Sequence, residues 1–192
     1  MNQNHLSYLA SPAWAEALRT DLLPWLESGP PLGDDVLEIG PGPGLTTDLL
    51  RERVATVTAV EIDPDLAAAL AERLAGTNVR VIQGDATAVA LPPVGFSAAA
   101  SFSMLHHMPS PEAQDRLFAV VARALRPGGA FVGVDSVDTD LIRQGHHDDT
   151  FVPVDPATFG ARLARAGFTD VTIAPAGEHQ FRFRARTPGQ IA

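Results

Sequence analysis

Apolar and polar positions along this chain switch repeatedly between two periods. Short apolar runs of strand length occur at Val36 to Ile39, Val54 to Ile62, Val79 to Ile82, Ser97 to Phe102 and Ala130 to Asp135. Stretches with helical spacing separate them. Thr46 to Arg53 reads as a short helix. Pro64 to Ala75 is rich in Ala and Leu, with Asp63 placed as its N-cap and Gly76 as its end. Pro111 to Arg126 carries Leu117, Val120, Val121, Ala124 and Leu125 on one face, with Ser110 as cap. Residues 87 to 95, interrupted by Pro92 and Pro93, read as an irregular crossing. Strand-then-helix units in succession imply right-handed crossovers and a parallel sheet.

The two ends depart from this rhythm. Residues 11 to 28 read as a helix, with Ser11 as N-cap and Pro12 in its first turn. Trp14, Leu18, Leu22 and Leu26 fall at helical spacing, and Pro24 is expected to kink or split the helix. Its apolar residues are expected to pack on the main domain, and Tyr8, Trp14 or Trp25 to cover a ligand. Residues 1–33 are thus read as an N-terminal helical segment and 34–192 as the main domain. After Asp135 comes a polar stretch, 138 to 154, containing His146-His147-Asp148-Asp149. A helix, Pro156 to Ala166, follows. Phe168 to Ala174 and His179 to Arg186 are joined by Pro175-Ala176-Gly177-Glu178, a turn short enough to make only a hairpin. The sheet is therefore expected to finish with one antiparallel strand. Phe181 and Phe183 alternate with Arg182, Arg184 and Arg186, giving one buried and one wet face.

Composition narrows the function classes. The chain has 192 residues, enough for one domain with a large core. Its net charge of −9 makes long nucleic acids unexpected partners, Arg182, Arg184 and Arg186 being the only arginine cluster. The absence of cysteine excludes disulfides, thiolate metal sites and Cys nucleophiles. Neither a signal peptide nor a membrane span is visible, so the expected setting is the cytoplasm, as a monomer or homodimer.

Candidate chemistry gathers at the strand ends. The run Val36 to Ile39 breaks into Gly40-Pro41-Gly42-Pro43-Gly44. Glycine accepts positive φ and lets a ligand approach the backbone, and the prolines stiffen the loop. A strand, a glycine turn and a helix start form a nucleotide-type site. The spacing differs from the G-x-G-x-x-G/A of NAD sites, because Leu45 stands at the last position. Glu61 closes the second strand, where a carboxylate can accept both ribose hydroxyls. Asp85 closes the third, where it can accept from an adenine amino group. Glu38, inside the first strand, suits a cationic ligand and is costly if unpaired.

With these residues on view, the chain resembles the class I S-adenosylmethionine-dependent methyltransferases. Val36-Leu37-Glu38-Ile39-Gly40-Pro41-Gly42-Pro43-Gly44 is similar to that family's first motif. Glu61-Ile62-Asp63 resembles its ribose-binding strand end and Gly84-Asp85-Ala86 its adenine-contacting one. Ser101-Phe102-Ser103-Met104-Leu105-His106-His107 resembles the fourth-strand motif, and Leu125-Arg126-Pro127-Gly128-Gly129 the turn before strand five. Ser97 departs from the family, which often has aspartate there in what is read as a structural role. The resemblance implies an α/β, three-layer, doubly wound and mostly parallel seven-stranded sheet of order 3-2-1-4-5-7-6, with strand 7 antiparallel. It also implies S-adenosyl-L-methionine as cofactor and S-adenosyl-L-homocysteine as product. The implied cofactor-binding residues are Glu38, Gly40, Pro41, Gly42, Gly44, Glu61, Ile62, Asp85, Ala86, Ser101 and Phe102.

Methyl transfer needs alignment and exclusion of water, and a base only where the acceptor atom carries a proton. His106 and His107, after strand four, are the candidate bases. The His146–Asp149 stretch is read as a solvated substrate loop with no metal, because adjacent side chains diverge whereas a metal needs convergent ligands. The favoured acceptor is a small molecule. The competing readings are an NAD(P)-dependent oxidoreductase and a non-catalytic S-adenosylmethionine-binding regulator.

Overall fold

The computed structural model describes residues 3–189. The strands are β1 (Asp35–Ile39), β2 (Thr56–Glu61), β3 (Val79–Gln83), β4 (Phe96–Phe102), β5 (Leu125–Ser136), β6 (Thr169–Pro175) and β7 (Gln180–Arg186). They form one sheet in the order 3-2-1-4-5-7-6. β1 pairs in parallel with β2 and β4, whereas β7 runs antiparallel to β5 and β6. The expected sheet and its antiparallel strand are thus present.

Alternation along the strands sorts the core onto two faces. Leu37, Ile39, Ala99 and Phe131 meet Leu117, Phe118 and Val121 of α6 (Pro111–Ala124), and Phe159 and Leu163 of α8 (Pro156–Arg165). Val36, Ala98, Ala100 and Val132 meet Leu50 of α4 (Leu45–Arg51) and Leu18, Leu22 and Leu26 of the N-terminal helices. Because both faces are covered, β4 is buried at every position but Ser97, with Ala98, Ala99 and Ala100 at its centre.

The N-terminal helical run continues through Pro24 without a gap but changes type just before it. α1 (Gln3–Leu9), which the sequence reading does not place, precedes α2 (Pro12–Ala17), where Ser11 Oγ accepts from the Trp14 amide at 3.1 Å. Residues Leu18–Leu22 then widen into a π-helical turn before α3 (Leu23–Glu27). The wider turn accommodates Pro24, which brings no N–H to the ladder and crowds the preceding turn. A second unplaced helix, α7 (Asp140–Gly145), opens the polar stretch with Thr139 as its cap. β5 begins at Leu125, earlier than expected, and Pro127-Gly128-Gly129 form an irregular start where its register with β4 shifts.

The arginines of β7 are committed inside the molecule. Arg182 pairs with Asp21 and lies over the Trp25 ring at 5.5 Å. Arg184 lies over the same ring at 4.4 Å and donates to the Trp25 carbonyl. Burial, followed by the neighbouring Arg182 charge, lowers the Arg184 pKa. Arg186 donates to the Gly128 carbonyl at 2.9 Å. The face expected to be wet is where the N-terminal helices are clamped to the sheet, and Trp25 serves that clamp rather than a ligand.

Ser97 carries out the structural task expected of that position. The Asp35 amide donates to Ser97 Oγ at 3.0 Å, and that hydroxyl reaches the Leu32 carbonyl at 2.7 Å. It ties the entry of β1 to the start of β4.

Gly133 offers a test of the packing. A Cβ there would sit 2.3 Å from the Ser101 carbonyl oxygen and 2.5 Å from the Phe183 ring. Gly133→Ala is expected to destabilise the fold by about 1–3 kcal/mol through overpacking. Urea unfolding measures this, and an unchanged midpoint would contradict the tight β4–β5–β7 packing.

Candidate functional site

The strand order reverses between β1 and β4, and such a switch point leaves a crevice at the carboxyl ends of the strands. β1 ends there in three left-handed glycines: Gly40 (φ 65°), Gly42 (φ 56°) and Gly44 (φ 87°). Each has its own reason to lack a side chain. A Cβ on Gly40 would lie 2.3 Å from Met104 Cγ, and one on Gly44 2.3 Å from Leu70 Cδ1. A Cβ on Gly42 would meet nothing within 4 Å. Gly40 and Gly44 are therefore packed, whereas Gly42 faces open space, as a ligand cradle requires. Arg73 fastens the loop from outside, pairing with Asp48 at 2.7 Å and donating to the Pro43 and Gly44 carbonyls at 3.2 Å.

Two carboxylates hold the loop from within. Glu38 is 1% exposed and accepts from Thr46 Oγ1 at 2.5 Å and Thr47 Oγ1 at 2.6 Å. Burial pushes its pKa from 4.5 up to about 7, against the lowering effect of the two hydroxyls and with a small raising contribution from Asp48 and Glu61. Glu61, 5% exposed, accepts from the Gly42 amide at 2.9 Å through Oε2 and from the Asp63 amide at 3.0 Å through Oε1. A carboxylate has about four acceptor positions, so each oxygen keeps capacity for a ligand hydroxyl.

One cavity of about 340 Å³ runs along the strand ends. Gly40, Pro41 and Gly42 form its floor, and Glu61, Ile62, Asp85 and Ala86 its second wall. Ile62 is 65% exposed, an apolar surface suited to a flat ring. Asp85 Oδ1 accepts from the Thr87 amide at 2.8 Å. Phe102 and His107 also line the cavity, while Leu9 and Trp14 close it from the N-terminal side. Tyr8 does not line it but packs on Trp14, with ring centroids 5.5 Å apart.

Four of the residues expected at the site stand behind its wall. Glu38 shares strand parity with Val36 and points at α4, where the threonines occupy it, so it braces the loop instead of facing a cationic ligand. Gly44 packs on α5 (Pro64–Arg73), and Ser101 is fully buried in β4. His106 is also fully buried, its Nδ1 2.6 Å from Asp135 Oδ1, so it cannot touch an acceptor directly. His107 does reach the cavity, beside Ser103, Met104, Met108, Arg116 and Asp149. Ser103 holds φ 52°, a strained conformation for a non-glycine residue. The sequence reading does not single out Arg116, Leu9 or Asp135. Only Asp135 left a signal there, as an acid at the end of an otherwise apolar run beside β4.

Comparison with known proteins agrees with this geometry. A family model described as a methyltransferase domain matches residues 36–129. An uncharacterized methyltransferase of Mycobacterium bovis is 34% identical over 134 residues, covering 69% of this chain and 64% of that protein. Ribosomal RNA small subunit methyltransferase A of Moorella thermoacetica is 55% identical over 64 residues, covering 33% of this chain and 22% of that protein. The chain thus spans less than two thirds of the length of these relatives. The solved complex of DhpI with S-adenosylhomocysteine superposes with a TM-score of 0.76, covering 96% of this chain and 91% of that one at 21% identity. A likeness at that identity speaks for the fold.

The buried Glu38 has a consequence in pH. Its raised pKa means the folded state favours the protonated acid, so its stabilising contribution is complete below pH 4.5 and is lost as pH rises through about 7. Relative to Glu38→Gln, the native chain is expected to lose about 2–3 kcal/mol of stability between about pH 5 and pH 8. Urea unfolding of both proteins at the two pH values measures the difference. Parallel pH dependence would contradict the assignment.

Proposed function

We propose, for a chain that belongs to the class I S-adenosylmethionine-dependent methyltransferases, that it moves a methyl group from S-adenosyl-L-methionine to a small acceptor molecule by in-line displacement. The observation that carries this reading is the continuity of the cavity. It joins the acidic end, at Glu61 and Asp85, to the end bearing His107 and Arg116, past the open face of Gly42.

The residues present fit the cofactor. Glu61 has acceptor positions left for a ribose, Ile62 offers an apolar plane for a base, and Asp85 stands beside it as an acceptor. Gly42 leaves room against the backbone for the amino-acid portion. When bound, the cofactor supplies a methyl carried on a positively charged sulfur. The protein's part is to align the acceptor with that methyl and to exclude water. Leu9 and Trp14 contribute the exclusion, and the π-helical turn and β7 arginine clamp hold their segment in place. Of the two histidines after β4, only His107 is positioned at the wall to take an acceptor proton. Arg116, exposed at the same end, favours an acceptor with an anionic group.

A ribosomal RNA acceptor is the second reading, favoured by the similarity over 64 residues. A net charge of −9, and the use of Arg182, Arg184 and Arg186 inside the fold, weigh against a phosphate-tracking surface. Release of S-adenosylhomocysteine across a panel of small anionic acceptors and ribosomal RNA separates the readings. Turnover on RNA alone would overturn the small-molecule reading.

Glu61→Ala is expected to weaken S-adenosylmethionine binding by about 1–3 kcal/mol, because it removes a ribose acceptor and strands the Gly42 and Asp63 amides. Calorimetric titration of the native and variant chains reads this directly. Unchanged affinity would rule out the ribose role of Glu61.

A further inference from the structure

Three imidazoles from two distant stretches of the chain meet beside the acceptor end of the cavity. His106 and His107 occupy the 3-10 turn Leu105–His107 after β4, and His146 follows α7. Ring centroids lie 4.3 Å apart for His106–His107, 4.8 Å for His106–His146 and 5.0 Å for His107–His146. One nitrogen from each can be chosen so that all lie within 4.8 Å of one another. Within the His146–Asp149 stretch, expected to be a solvated loop, only His147 and Asp148 face solvent, whereas His146 and Asp149 both turn inward toward His107. The convergence is across the fold, with partners that the sequence does not bring together.

Oxygen acceptors stand behind these rings in the manner of a metal site's outer shell. His106 Nδ1 is 2.6 Å from Asp135 Oδ1. That carboxylate also accepts from the Leu105 and Ser136 amides, each at 2.8 Å. His146 Nδ1 is 2.7 Å from the Ile142 carbonyl oxygen, which can only accept. Both Nδ1 atoms therefore carry the hydrogen, and in the neutral rings the lone pair belongs to Nε2. His107 Nδ1 lies 3.8 Å from Asp149 Oδ2, beyond hydrogen-bond reach, so this contact does not set its tautomer. A carboxylate or carbonyl on the opposite nitrogen is what fixes the tautomer and raises the basicity of a metal-bound histidine. Phe151 packs on His146 at 4.7 Å and on His106 at 5.7 Å, giving the cluster an apolar side.

We propose that His106, His107 and His146 form a binding site for a divalent transition-metal ion of the zinc class, with its fourth position toward the cavity wall formed by His107 and Asp149. A set of neutral imidazoles selects zinc and its neighbours over magnesium or calcium. Tetrahedral bonds of about 2.0–2.1 Å require the nitrogens to draw closer than they stand here. His146, on the loop after the short α7, is the ligand placed to move. An ion held there has a consequence that rests on the methyl-transfer reading: His107 becomes a ligand rather than a base, and the ion supplies Lewis acidity beside the acceptor.

The test is a titration of the full chain, freed of any affinity tag and dialysed against a chelator, with Zn²⁺ alone by calorimetry and with Co²⁺ by visible absorption. One ion per chain is expected, with the intense absorption of a four-coordinate Co²⁺ site and a rise in Tm. His107→Gln and His146→Gln are each expected to weaken binding at least about tenfold. His147→Gln, at a side chain 82% exposed, is expected to leave it unchanged. Absence of stoichiometric binding to the native chain overturns the proposal, as does binding that survives both ligand substitutions or falls equally with His147→Gln. The native-chain stoichiometry and Co²⁺ spectrum decide the matter even if a substituted chain misfolds. Neither cofactor nor acceptor takes part in the titration, so failure here leaves methyl transfer standing, and S-adenosylmethionine binding on the same sample tests that reading separately.

Discussion

The bond between the Glu61 carboxylate and the Gly42 amide is the constraint on which the site depends. It joins the end of β2 to the middle of the glycine turn that ends β1, across 2.9 Å. The turn alternates left-handed glycines with prolines, a path that nothing in β1 itself would hold. Glu38 braces it from beneath through Thr46 and Thr47, and Arg73 from outside through two carbonyls. Remove this scaffolding and the open face of Gly42 would no longer be a fixed surface. The cost of burying Glu38 is visible in its raised pKa, and such a cost is tolerated where a loop must be held in one conformation.

The same logic organises the rest of the fold. Strand alternation sends Leu37 and Ile39 to the α6–α8 face and Val36 and Glu38 to the α4 face. The carboxyl edge is then left to residues at the strand ends and in the turns that follow them. Those residues are Gly42, Glu61, Asp85 and the segment after β4, and the cavity is built from them. The N-terminal helices close one side of it because the β7 arginines hold them. A cluster that resembles a nucleic-acid patch in sequence is thus a structural clamp, and its work is to keep Trp14 over the cavity.

Much of this was legible in the sequence, and the limits have physical causes. The parallel sheet follows from the alternation of strands and helices and the antiparallel strand from the short hairpin turn, whereas the strand order is what the family resemblance implies. The glycine turn and the acids at the strand ends marked the crevice. Spacing did not reveal which acid faces it. Glu38 and Glu61 are equivalent as strand acids until strand parity and the threonines of α4 are known. His106 and His107 are adjacent in sequence, yet a single tight turn buries one against Asp135 and leaves the other at the wall. The meeting of His146 with both was invisible, because it depends on where the loop after β5 folds back. Pro24 marks a kink or split in residue spacing, but spacing does not show that the helix meets it by widening into a π turn.

The central claim is that the crevice between β1 and β4 is an S-adenosylmethionine site. The most direct measurement is calorimetric titration of the native chain with S-adenosylmethionine and, separately, with NAD(H) and NADP(H). The account requires one S-adenosylmethionine per chain and no saturable binding of either dinucleotide, since Leu45 stands where a dinucleotide loop needs a small residue. Tight dinucleotide binding with no response to S-adenosylmethionine would contradict it.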